Sequence, residues 1–230
     1  MQQAYRALRV VAESQTIRIV LSPDPGELML SELRTVCATL NSESSAGIKT
    51  VVLDFTPDAT IQGTKEGTLS PNSIKETGVA IRTIAQPVLA VVQGKLSPTA
   101  SILVRSADLI LAANDASLIV PISETEDDTL TGAQAARLGY VTWAAPANDL
   151  RKEMERVLDM LRGSSAIALR HTKASVRLAT ADTNTNTPKT PLEALQQINR
   201  FYLEEVMQTA DAHEGLQAFL EKRKPNWKNS

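Results

Sequence analysis

The chain has 230 residues, 43% hydrophobic and 22% charged, with 24 Lys and Arg against 26 Asp and Glu and a formal charge of −2. That length buries a full core without staples, and the slight acidity argues against the broad basic footprint of a nucleic-acid binder. One cysteine excludes an internal disulfide framework, and two Trp, three Tyr and three Phe leave little for stacking platforms.

Ile17-Arg18-Ile19-Val20-Leu21 predicts the first strand, stopped by the turn residues Ser22-Pro23-Asp24-Pro25-Gly26. Leu33, Val36, Cys37 and Leu40 recur at i, i+3, i+4 and i+7, so residues 28–40 form an amphipathic helix. Thr50 to Phe55 is a short, β-branched, apolar strand. Residues 56–73 are a polar loop containing Gly63 and Gly67, and Ile74 to Ile84 is a helix. Pro87 to Val92 is a strand ended by Gln93-Gly94, residues 98–107 are helical, and 108–113 and 117–120 are further strands. The strands at 51–53 and 88–92 are continuously apolar, which suits strands covered on both faces. Strand and helix alternate, an α/β pattern. No Gly-rich turn of dinucleotide or P-loop type occurs.

Beyond Ala144 the character changes. Leu150, Met154, Val157, Leu158 and Leu161 keep helical spacing, and Ser164 to Leu178 is a second helix. Thr180 to Thr190 is a polar, low-complexity loop. Leu192, Leu195, Ile198, Tyr202 and Val206 line one helix face, and Asp211 to Lys222 is the last helix. We therefore expect an α/β core over 1–148 and a helical region over 149–230.

The residues alone carry little chemistry. His171 and His213 are far apart and form no ligand-spaced cluster, so no metal site is expected. Cys37 sits on an apolar helix face and reads as core. Glu124, Glu126, Asp127 and Asp128 form an acidic run that reads as a solvated loop. No apolar run of about 18 residues or signal peptide is evident, which predicts a cytoplasmic protein with no membrane partner.

Four segments, in order, resemble the enoyl-CoA hydratase/isomerase (crotonase) family. Gln86-Pro87-Val88-Leu89-Ala90-Val91-Val92-Gln93-Gly94 is similar to its K-P-V-I-A-A-V-N-G. Ala107 to Ala116 (A-D-L-I-L-A-A-N-D-A) is similar to C-D-L-R-I-A-A-E-D-A. Ala133 to Val141 resembles A-x-E-A-L-R-L-G-L-V, and Glu214 to Trp227 resembles E-G-x-x-A-F-x-E-K-R-x-P-x-[FW]. The resemblance implies a crotonase-like spiral of ββα units with a helical C-terminal region used in homotrimer or hexamer assembly. It implies an acyl-CoA ligand, a place in fatty acid metabolism, and no cofactor beyond the coenzyme A of that ligand.

The implied chemistry is an oxyanion hole of two backbone N–H groups that holds the thioester carbonyl. Matched onto the family's pattern, Gln62 takes the first donor position, within Ala59 to Lys65. Thr99 takes the second, where Pro98-Thr99-Ala100 replaces three glycines. Pro98 lacks an N–H and fixes its φ, so this turn departs from the family's. The two hydratase glutamates fall on Ile102 and Ile122, so ordinary hydration is not expected. Glu66 and Glu124 are the candidate replacement carboxylates. The family carries some tens of residues where this chain has 122–132, which predicts a shortened or opened acyl end. Lys222 and Arg223 match the basic C-terminal pattern and imply a coenzyme A contact. Two readings remain: an enzyme with another acid or base, or a non-catalytic acyl-CoA-binding or scaffold member of the family.

Overall fold

The computed structural model describes residues 5–41, 47–58, 61, 69–121, 127–180 and 190–229. Two compact units divide the chain, Met1–Asp159 and Met160–Ser230.

In the first unit a hairpin joins β1 (Arg9–Glu13) to β2 (Thr16–Val20), with Gln15 in the left-handed region at φ 64. Helix α1 (Glu27–Leu40) buries Met29, Leu30, Leu33, Val36, Cys37 and Leu40 on one stripe, the 3.6-residue period expected of it. Strand β3 (Thr50–Phe55) follows, then α2 (Pro71–Thr83) and β4 (Val88–Val92). Helix α2 starts three residues before the expected Ile74. Pro71 sits in its first turn, where a missing N–H is no loss. Next come α3 (Pro98–Val104), β5 (Leu109–Ala113), β6 (Ser117–Pro121), β7 (Asp127–Thr131), α4 (Gly132–Arg137) and β8 (Trp143–Ala145).

Six strands form one sheet in the order β1-β2-β3-β4-β5-β8, parallel throughout except for β1. β3 and β4 are buried at every position, as continuous apolar runs require when both faces are covered. β6 and β7 form a separate antiparallel pair. Asp127 and Asp128 therefore lie in an exposed strand, not in the solvated loop the acidic run predicted; pairing with β6 outweighs their polarity.

Helix α5 (Leu150–Arg162) crosses the division between the units and buries Leu150, Met154, Val157, Leu158 and Leu161. The second unit continues with α6 (Ala166–Thr180), α7 (Pro191–Glu204) and α8 (Ala210–Glu221). Helix α7 opens on a capping box between Thr190 and Glu193, which satisfies two of its orphan donors. Unlike α1, it buries none of its residues. No helix among the described residues is long and apolar enough to cross a membrane.

Candidate functional site

The chain leaves β4 through Gln93 and Gly94. Gly94 has φ +80, a conformation that L side chains rarely adopt, so glycine suits this turn. Three backbone bonds tie the turn to two other segments. Leu96 N donates to Ser117 O (3.0 Å), Ser117 N to Gly94 O (2.9 Å) and Ser97 N to Pro23 O (2.9 Å). Ser97 then caps α3: its Oγ accepts from Ala100 N at 3.2 Å and its carbonyl from Ser101 N at 3.0 Å. Pro98 occupies the first helical turn without an N–H to lose. Thr99 is left as the donor of that first turn with no acceptor among the described residues. It is half-buried, and its N–H shares the partial positive charge of a helix start. One turn on, Ile102 is 37% exposed.

At the end of α8, Lys222 adopts φ 54, ψ 37, the left-handed conformation of a helix C-terminus, and is exposed. Arg223 is engaged within its own unit. Its Nη1 and Nη2 donate to the two oxygens of Glu214 (2.6 and 3.0 Å), and its Nε donates to Glu221. The Glu214 carboxylate also accepts from Asn226 N (2.6 Å). The Arg223 bonds, then the Asn226 N–H, hold Glu214 down to about 2, and the two carboxylates raise Arg223. Behind this clasp, buried Asp211 accepts from the Ser165 hydroxyl and from Lys228 N and Asn229 N. The Trp227 ring lies over Gly215, and its Nε1 donates to Gly163 O at 2.8 Å.

Sequence comparison assigns the second half. Residues 127–230 match the family model described as enoyl-CoA hydratase/isomerase. That part of the chain is similar to the enoyl-CoA hydratase/isomerase family. No curated protein compared with it matches in sequence. Solved crotonase-type structures match over the whole length at low identity. An enoyl-CoA hydratase/isomerase from Mycobacterium paratuberculosis is 21% identical, with 99% of this chain and 100% of that one covered and a TM-score of 0.77. An enoyl-CoA hydratase from Bacillus anthracis is 21% identical over 98% and 100%, with a TM-score of 0.79. A structure from Geobacillus kaustophilus is 19% identical over 99% and 98%, with a TM-score of 0.82. The crotonase-like fold expected from the motifs is thus the observed one: a mixed α/β, mainly parallel sheet with a helical C-terminal region.

Within this crotonase framework the sequence-matched residues divide sharply. Thr99 and Ile102 lie on one short helix of the first unit, and Lys222 and Arg223 close the last helix of the second. Gln62, Ile122, Glu66 and Glu124 lie outside the described residues. Cys37 is buried in the core as read. His171 stacks edge-on against Phe201 at 5.2 Å, and burial pushes its pKa down despite Glu205. His213 is exposed, its ring nitrogen 3.0 Å from Thr209 O.

Sequence reasoning missed one polar pair. Asp54, fully buried on β3, accepts from Nε (2.7 Å) and Nη2 of Arg18 on β2, and from Thr56 N (2.9 Å). The available signal was a charged residue inside each of two apolar strand runs.

Proposed function

We propose that the chain binds an acyl-CoA thioester and holds its carbonyl oxygen through backbone N–H groups, Thr99 supplying one and Gln62 the other. The observation that carries this reading is the Thr99 N–H, fixed at the start of α3 by three inter-segment bonds and left without an acceptor among the described residues. A donor so held meets developing negative charge without reorganising, an effect of about 3 kcal/mol per donor. Coenzyme A enters as part of the ligand, with Lys222 as the freer of the two C-terminal cations.

Ordinary hydration is not part of the proposal. Water addition needs a positioned acid and base, each worth roughly 10²–10⁴-fold, and Ile102 and Ile122 can transfer no proton. A non-catalytic scaffold is the second reading, favoured by the engagement of Arg223 with Glu214 and Glu221. Assembly as a homotrimer or hexamer belongs to both readings. It is supported by the bare apolar stripe of α7, where Leu192 is 63% and Leu195 54% exposed.

Calorimetric titration with acetyl-CoA, crotonyl-CoA and free CoA tests the binding. The expected result is saturable, salt-sensitive binding, weakened by Lys222→Ala with Arg223→Ala, and crotonyl-CoA hydration below about 10 s⁻¹, an ordinary enzyme turnover. Absence of heat with every thioester at about 1 mM, a free energy weaker than roughly −4 kcal/mol, would leave the scaffold reading. Rapid hydration would show that protons move through groups other than those matched here.

A further inference from the structure

A cavity of about 210 Å³ opens at the carboxyl ends of β3 and β4, beneath the first turns of α5, wholly within the first unit. It lies on the sheet face that carries Arg18, Asp54 and Val91, since Asp54 and Val91 are register partners and Arg18 sits two residues before Val20, the partner of Asp54. Its size is below the roughly 300–1,000 Å³ of pockets for drug-sized ligands. It suits a fragment of a few heavy atoms.

The polar groups around it are unequally spent. The Asp54 carboxylate already receives three donors, two from Arg18 and one from Thr56 N, and so has little capacity left. Arg18 keeps one nitrogen, Nη1, 3.9 Å from the half-exposed Glu13. The Gln93 amide, the Thr56 hydroxyl and the Arg151 guanidinium line the same space and have no side-chain partner among the described residues. Arg18 is thus committed to Asp54 and Glu13, and the Arg151 guanidinium, the Gln93 amide and the Thr56 hydroxyl form a donor-rich wall with one uncommitted cation. Such a wall recognises a planar oxyanion, and an Arg fork matches a carboxylate in two parallel bonds. The remaining walls, Val91, Leu150, Met154 and Ala147 among them, are apolar. An inorganic anion would leave those walls unused, whereas the hydrocarbon stub of an organic acid would cover them.

We infer that this cavity binds a short-chain carboxylate, its headgroup bonded by Arg151 and Gln93 and its alkyl stub against Val91 and Met154. The inference is independent of the thioester reading. It concerns a different set of residues, and its probes carry no coenzyme A.

The test is calorimetry on the full chain with sodium acetate, butyrate and phosphate at constant ionic strength. Butyrate is expected to bind saturably and more tightly than acetate, by roughly fourfold per buried methylene. Arg151 is exposed, so Arg151→Ala folds and is expected to lower butyrate affinity at least about tenfold, the loss of a charge-assisted bond. Gln93→Leu is expected to weaken it less, and Arg105→Ala, remote from the cavity, not at all. The inference is overturned if neither carboxylate binds, or if phosphate binds and the carboxylates do not. It is equally overturned if butyrate binds the Arg151→Ala and Gln93→Leu variants as it binds the wild type.

Discussion

Asp54 is a charge placed inside an otherwise apolar sheet, and Arg18 is what makes that tolerable. Removing one partner of a buried pair strands the other, whereas replacing both with hydrocarbon is often close to neutral. Arg18→Met is therefore expected to cost about 3 kcal/mol in urea unfolding, and Arg18→Met with Asp54→Leu markedly less. A double variant as unstable as the single one would show that the charge pair is not the source. At the other end of the chain, Glu214 is held down to about 2, against an ordinary value of 4.5, first by Arg223 and then by the Asn226 N–H. Its folded-state pKa lies below its unfolded one. The clasp is therefore at full strength above about pH 4.5 and is lost as the pH falls toward 2. In a Trp143→Phe background, Trp227 emission is expected to change across that interval. Glu214→Gln should show the loosened signal already at neutral pH. A flat signal over the interval in the parent protein would separate the tail from this carboxylate.

At the scale of elements, close approach governs what α4 can carry. A Cβ on Gly132 would lie 2.0 Å from the carbonyl oxygen of Ala113, the last residue of β5, and a backbone atom has little freedom to give way. Gly132→Ala is expected to destabilise by at least about 1–3 kcal/mol, the usual cost of overpacking. Gly47→Ala, which meets nothing within 4 Å, should stay within about 0.5 kcal/mol. Equal urea midpoints for the two would show that α4 slides freely on β5. The elements that sequence alone made legible are those with a strong one-dimensional pattern. β3 and β4 announce themselves as apolar runs, and α1 and α5 as stripes of 3.6-residue period. β1 escaped notice because no residue of it is fully buried. β7 escaped because Leu130 is its one buried residue and its strand character comes from β6. Of the candidate site, the family motif located Thr99, but the turn before it is fixed through Leu96 and Ser97 by Ser117 and Pro23, distant segments that no local pattern links. The Arg18–Asp54 pair was hidden for a similar reason. It depends on the register of two parallel strands more than thirty residues apart, and periodicity carries no information on register.

For the whole molecule, the distribution of apolar surface is uneven. Among the described residues, nine of the thirteen exposed large hydrophobic side chains fall in the second unit, with Phe219 at 79% and Leu220 at 71%. Scattered exposed apolar residues need no explanation, but a concentration of them marks an interaction surface. Light scattering of the proposed assembly is expected to give a multiple of the 24.9 kDa chain mass at micromolar concentration. Leu192→Glu with Leu195→Glu should lower it toward the single chain, because a charge buried at an apolar interface is left unpaired. A wild-type protein already at the single-chain mass would remove the assembly from the proposal.

The order of the main sheet has a consequence for biosynthesis. Up to β5, each strand lies beside its predecessor in the sheet, and only the β6–β7 pair intervenes before β8. A nascent chain emerging at about 5–20 residues per second can thus add each strand to an edge already made, with no gap held open for a later segment. By Ala113, five of the six strands of the main sheet have been synthesised in the order they take in it. Ribosome-stalled chains in which Ala113 has cleared the exit tunnel should resist proteolysis within the strands β1 to β5. Chains stalled within β3 should not.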